Sequence, residues 1–292
     1  MCSTGTLPAA VGGSYDDLDA VVKGARAVGV LDIELVLQPN WRPGESPRDR
    51  RPDVDSRTRT WATSEIITII RGWMDSGGGR VCSVHANSDT GCFLNSSSEA
   101  ERGRAERILE ETCEAAVELG AHMVVLHLWD TWADDISPEP GASSVTALAE
   151  RYPNITLAAE NIPVSAPGWS QTELMFRLSE LLPPLVGFTL DLSWSSMYGN
   201  LNRLLGLLPR VRNVHVQGRL GNTDGCTVLL PRAGEMDLGR AVKRIRDLGY
   251  SGQWTLELNR PRSPGDFIRG MRYLEYLVDR AILPEEVDVD EV

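Results

Sequence analysis

Lysine is almost absent: the 292 residues contain two, Lys23 and Lys243, beside 27 arginines. Both fall on expected helices at solvent-facing positions, which leaves a Schiff-base mechanism without a usable amine. Cysteine is scarce too. Cys2, Cys82, Cys92, Cys113 and Cys226 are odd in number, scattered and never spaced C-x-x-C, so neither a disulfide framework nor a zinc knuckle is expected. No segment approaches the ~18 consecutive apolar residues of a membrane span, and the N-terminus lacks a basic stretch followed by an apolar one. A cytoplasmic, unprocessed protein with no membrane partner is the expectation. Basic charge is also short. The 29 Lys and Arg stand against 41 Asp and Glu, a formal charge of −12, which argues against gripping a phosphate backbone and hence against nucleic acid as partner.

What is present suits a large core, since 42% of the chain is apolar and 24% charged. Short β-branched runs at 2–7, 31–37, 80–87, 123–129, 155–162, 186–194, 211–218 and 253–259 alternate with longer amphipathic stretches. Ala105, Ile108, Thr112, Ala115 and Leu119 mark one helical face, and Leu238, Val242, Ile245 and Leu248 another. A last helix over about 265–281 repeats the pattern with Phe267, Met271, Leu274 and Val278. Gly29, Gly120 and Gly249 stand where helices should end in a left-handed residue. Eight such units in under 300 residues predict an α/β fold, a (β/α)8 TIM barrel. An open doubly wound sheet is the rival, but no strand leads into G-x-G-x-x-G or G-x-x-x-x-G-K-[ST]. The barrel is expected to span 1–283 as one domain. The tail 284–292 carries five acids, and without it the charge is −7.

Two long loops follow strands, where a barrel keeps its chemistry. Residues 38–61 hold Arg42, Arg48, Arg50, Arg51, Arg57 and Arg59, but interleaved acids make this a solvated surface rather than an anion clamp. Residues 130–142 form the second loop. Trp41, Trp129, Trp132 and Trp194 lie near strand ends, where aromatic rings can wall a sugar site or simply pack.

Strand side chains alternate, so parity separates a helix-facing from a barrel-facing set. Thr156, Ala158 and Glu160 point inward on strand five, and Thr189 and Asp191 on strand six. Asn213, His215 and Gln217 do so on strand seven, and Gln253, Thr255, Glu257 and Asn259 on strand eight. Four consecutive strands thus aim Glu160, Asp191, His215 and Glu257 at one mouth. Converging acids are costly to bury without a cation, and three carboxylates with an imidazole suit Mn²⁺, Mg²⁺, Co²⁺ or Zn²⁺. Parity also places His85 and His127 inside, and His122 at the opposite rim.

These motifs, in this order, resemble the xylose isomerase-like barrel superfamily of sugar phosphate isomerases and epimerases, which distantly includes endonuclease IV. The resemblance runs along nearly the whole chain through Glu34 in LDIELVL, His85 in VHAN, His127 in GAHMVVLHLW, Glu160 in LAAENIP, Asp191 in GFTLDLSW, His215 in VRNVHVQG and Glu257 in SGQWTLELN. LLPRAGEMDL is similar to the family's P-G-x-G-x-I-D segment. The resemblance implies one divalent metal ion held by Glu160, Asp191, His215 and Glu257, with His85 and His127 as substrate or second-metal contacts. Glu34, Trp194, Gln217 and Arg219 complete the candidate substrate-binding set, although Glu34 could instead pair with an arginine of the following loop. A homodimer is common in the family. Two departures stand out: Trp194 replaces the His three residues after the strand-six Asp, and Gly218 ends the usual H-x-x-D. The D-x-H used by nucleases is missing from GNTDGCTVLL, so a trinuclear zinc nuclease site, and with it an AP endonuclease, lacks ligands.

Such an ion acidifies the C–H between a carbonyl and a hydroxyl by stabilising the enediolate. With Glu160 and Glu257 as the catalytic acid–base pair, proton return to the same carbon inverts it, and return to its neighbour shifts aldose to ketose. The lysine-assisted hydride shift of xylose isomerase itself lacks its lysine. The expected activity is therefore isomerisation or epimerisation of a small sugar-like substrate. A lyase or dehydratase on the same site, possible in specialised metabolism, and a non-catalytic binding barrel are the rivals.

Overall fold

The computed structural model describes residues 1–5, 7–13, 18–37, 63–87, 90–131, 133, 135–217, 237–258 and 263–279. Eight strands, β1 (Cys2–Ser3), β2 (Asp32–Val36), β3 (Arg80–His85), β4 (Met123–Leu126), β5 (Thr156–Glu160), β6 (Gly187–Asp191), β7 (Val211–Val216) and β8 (Gln253–Leu256), close in sequence order into a barrel. Every pairing is parallel, and Cys2 opposite Leu256 joins β1 to β8. Around it run α1 (Leu18–Val28), α2 (Thr63–Asp75), α3 (Thr90–Leu94), α4 (Glu99–Glu118), α5 (Pro138–Arg151), α6 (Gln171–Leu181), α7 (Leu192–Met197), α8 (Leu201–Leu204), α9 (Leu238–Asp247) and α10 (Pro264–Asp279). This is the (β/α)8 TIM barrel.

The strand parities divide the interior in two. Ile33, Leu35, Val84, Val124, Leu126, Leu157, Phe188, Leu190, Val214 and Val216 join the apolar core shared with the helices. The barrel lumen is polar instead: Ser3, Glu34, Ser83, Thr189, Asn213 and Thr255 are all fully buried. Ladder shifts between Ile33 and Glu34 and between Phe188 and Thr189 adjust the register as the sheet closes.

The expected α4 face, from Ala105 to Leu119, is buried throughout. Gly29, Gly120 and Gly249 adopt φ of 71°, 70° and 88° just beyond α1, α4 and α9, where a side chain would be strained. Several expectations need correction. The first strand ends at Ser3 rather than at 7, because Leu7–Val11 winds into a 3-10 helix. The loop expected over 130–142 gives way at Pro138 to α5, whose first position suits a proline. Leu248 is 56% exposed, because α9 ends at Asp247 and Leu248 turns out with the cap. The sixth strand stops at Asp191 rather than at 194, because the Asp191 carboxylate accepts the Trp194 amide at 2.8 Å and starts α7. Trp194 is therefore a helix residue. The 38–61 loop, Trp41, Trp132, Arg219, Cys226, Asn259 and the 284–292 tail lie outside the described residues. Among the described residues, Cys2, Cys82, Cys92 and Cys113 form no disulfide. Among the described residues no helix is long and apolar enough to cross a membrane.

Candidate metal and acid–base centre

Glu160 and Asp191 are the last residues of β5 and β6, His215 pairs with Asp191 across the ladder, and Glu257 follows β8 with its amide still bonded to Val216 O at 3.0 Å. One ligand atom from each of these four residues lies within 4.8 Å of all the others. Glu160, Asp191 and His215 are buried, while the Glu257 side chain is 26% exposed. His215 Nδ1 sits 3.3 Å from Glu160 Oε1 and 3.4 Å from Glu257 Oε2.

The second carboxylate oxygen of Glu160 meets the other two inward histidines. His85 Nε2 lies 3.0 Å and His127 Nε2 2.9 Å from Oε2. The His85 and His127 rings meet edge-on, with centroids 5.1 Å apart. His85 Nδ1 is 2.7 Å from Ala86 O, and because a carbonyl only accepts, that nitrogen carries the proton.

Burial works against charge at Glu160, His215, His85 and Asp191, and neighbouring groups outweigh it at the first three. Burial raises the Glu160 carboxyl, but the His215 charge and the His127 and His85 hydrogen bonds hold it well below the usual range. Burial lowers His215, but the Glu34 and Glu160 charges bring it well above an ordinary histidine. Burial lowers His85 too, but the Glu160 hydrogen bond and the Glu160 and Glu34 charges push it up to about 9. Asp191 goes the other way. Burial, then the Glu160 charge, drives its carboxyl well above the usual value, toward the neutral acid.

Asn161 and Ser195 went unnoticed as site residues in the sequence. Asn161 Oδ1 accepts the Asp191 amide at 2.6 Å, and its Nδ2 donates to Asp191 O and to Ser195 Oγ, each at 3.2 Å. Ser195 Oγ donates to Asp191 O at 2.7 Å. Asparagine after the strand-five Glu and serine four residues past Asp191 are too common to have been read as a brace.

Glu34 sits inside the barrel lumen on β2. It is fully buried, and among the described residues it contacts Ser83, Asn213 and His215, while the arginines of 38–61 lie outside those residues. Gln217 follows β7 and Trp194 opens α7, both half-buried. Trp129 is buried, with its indole donating to Pro163 O at 2.8 Å, so it packs rather than walls the mouth. His122 accepts from Gln253 Nε2 at 2.6 Å at the opposite end of the barrel, as parity predicts. Lys23 is exposed on α1, and Lys243 pairs with Asp247 within α9.

A closed parallel barrel with a carboxylate–imidazole cluster at the C-terminal ends of its strands defines the class: a (β/α)8 barrel with a buried ionisable centre. Residues 22–277 match the family model described as xylose isomerase-like TIM barrel, and the chain belongs to that family. A protein of Methanocaldococcus jannaschii, described as uncharacterized, is 29% identical over 108 residues, which are 36% of this chain and 38% of that protein. The chain therefore aligns with little more than a third of that relative's length. Among solved structures, a D-tagatose 3-epimerase-like protein superposes with a TM-score of 0.67 at 18% identity, covering 96% of this chain and 97% of that one. A xylose isomerase-like TIM barrel protein from Mycobacterium smegmatis, in complex with magnesium, gives 0.64 at 13% identity over 97% of each chain. L-ribulose 3-epimerase gives 0.58 at 15%, over 83% of this chain and 76% of its own. At these identities the likeness is one of fold.

Proposed function

We propose that the chain is a divalent-metal-dependent isomerase or epimerase of a small polyhydroxylated carbonyl substrate, working by carboxylate-mediated proton transfer. The observation that carries this reading is the convergence of Glu160, Asp191, His215 and Glu257 within 4.8 Å. The donor set fits a hard or borderline ion, and the upward push on Asp191 marks a place short of positive charge. When bound, the ion would supply polarisation of a carbonyl and its adjacent hydroxyl, acidifying the C–H between them.

The residues divide the remaining work. Asp191 is tied to the α7 N-terminus and braced by Asn161, which suits it to holding rather than shuttling. Glu160 is fixed by two histidines, and Glu257 keeps access to the mouth. One glutamate takes the substrate proton and the other returns it, to the same carbon in an epimerase or to its neighbour in an isomerase. Trp194 and Gln217 are assigned to substrate contact at the rim. The sugar epimerases among the solved neighbours support a sugar-like substrate.

One observation favours a second reading of His85 and His127. Both Nε2 atoms converge on Glu160 Oε2, away from Oε1, and a cation entering there would displace the Nε2 proton of His85 while Ala86 O keeps the one on Nδ1. A second cation shared through Glu160 would use those atoms. Metal stoichiometry separates one ion per chain from two.

The test is metal analysis of the purified protein followed by a panel of ketoses and inososes in D₂O. Deuterium incorporation that Glu257→Gln abolishes is expected. Undiminished exchange in that variant overturns the proton-transfer assignment, and absence of any bound or activating divalent ion overturns the metal reading. Products that have lost water identify a lyase or dehydratase on the same residues.

A further inference from the structure

Glu34 takes no part in the proton transfer above, yet it is the most enclosed acid of the cluster. Its Oε2 accepts from Ser83 Oγ at 2.8 Å and from Asn213 Nδ2 at 3.1 Å. Asn213 Oδ1 accepts in turn from Thr255 Oγ1 at 2.9 Å, which keeps the Asn213 amine facing Glu34. The other oxygen, Oε1, has no hydrogen-bond donor among the described residues and lies 3.1 Å from His215 Nε2. His215 Nε2 likewise has no hydrogen-bond partner as it stands. At 3.1 Å, each of these two buried atoms is the nearest complement to the other among the described residues, and a small rotation of the ring would join them. Across the ring, Nδ1 faces Glu160 and Glu257. His215 thus spans two layers of the lumen, with Nε2 toward Glu34 and Nδ1 toward the mouth.

We infer that Glu34 is a positioning residue that accepts the Nε2–H of His215 and so commits Nδ1 to the metal ion, an inference that rests on the metal reading above. A neutral imidazole carries one N–H, and a carboxylate beside Nε2 selects the tautomer that has it there. The Nδ1 lone pair is then free to donate toward the mouth. Without Glu34, the buried Nε2–H has no acceptor, and the alternative tautomer points its proton at Glu160 and Glu257, blocking the donor atom. Glutamine is a sharp probe of this. Ser83 and the oriented Asn213 amine keep the glutamine carbonyl in the Oε2 place, so its NH₂ faces His215 Nε2 and favours the blocking tautomer.

The test uses Zn²⁺ as probe on the full chain, with ¹⁵N-labelled histidine. In the Zn²⁺-loaded wild type, His215 should show a protonated Nε2 and a metal-shifted Nδ1. Zn²⁺ affinity, measured by chelator competition, should fall roughly 10–100-fold in Glu34→Gln with far-UV circular dichroism unchanged. Wild-type protein that takes up no Zn²⁺ overturns the metal reading and this inference with it. Wild-type protein that loads through Nε2, or a folded Glu34→Gln that binds within about twofold of wild type, overturns this inference alone and leaves the metal reading standing. The wild-type spectrum decides the question even if the variant does not fold.

Discussion

The two ends of the barrel handle charge in opposite ways. At the N-terminal end Arg80 Nε meets Asp32 Oδ1 at 2.7 Å, with the side chains 72% and 41% exposed, and His122 meets the neutral Gln253. These groups border a cavity of about 570 Å³ that also touches Met1, Cys82 and Trp254. Charge there is paired in the open, where solvent screens it. At the C-terminal end, four carboxylates and three imidazoles are packed together, most of them buried, and burial with the Glu160 charge pushes the Asp191 carboxyl up. An exposed pair asks little of the fold and adds little to it, whereas a buried, unbalanced cluster costs stability unless something else enters. That difference is what marks the C-terminal end as the candidate site.

Glu160→Gln should give the largest contrast: deuterium exchange into substrate falls by about 10³-fold or more, whereas Asp32→Asn leaves exchange unchanged. Equal losses at the two ends would erase the distinction. Removing divalent ions with EDTA should lower Tm by roughly 5–10 °C if the ion is present at about 100 times its Kd, and Asp32→Asn should show the same drop as wild type. A Tm indifferent to chelation would mean that the cluster balances its own charge.

The smallest effect belongs to Asp32. The Arg80 hydrogen bond, opposed by some burial and helped by the Arg80 charge, holds its carboxyl below the usual value. A depressed folded pKa stabilises above the unfolded value, near ~3.9, and the contribution is lost as pH falls through the folded one. Thermal melts of Asp32→Asn should therefore lie no more than about 2 °C below wild type at pH 6 and converge with it toward pH 3. A gap that widens in acid would reverse the sign.

Most of the fold was legible because its signals are local. Strand parity needs only neighbouring residues, and it placed Glu160, Asp191, His215 and Glu257 on the lumen side while sending Leu190, Val214 and Leu256 into the core. The end of β6 was misread because an aspartate that ends a strand and one that caps a helix look alike until the Trp194 amide is seen on it. Glu34 was legible as a strand-two candidate, but its depth in the lumen was not. Parity says which side of a strand a residue occupies and nothing about which layer of the lumen it reaches.

The sequence by itself determined the alternation of eight strands and helices, the inward side of each strand, and the short supply of lysine. Tertiary structure decided which inward residues meet. Glu34 and Asn213 touch across 179 positions of chain, because closing β8 onto β1 and shifting the β2 and β6 ladders sets the height of every side chain in the lumen. That height is a property of the closed sheet as a whole, fixed by strand tilt and stagger, and no single strand carries it.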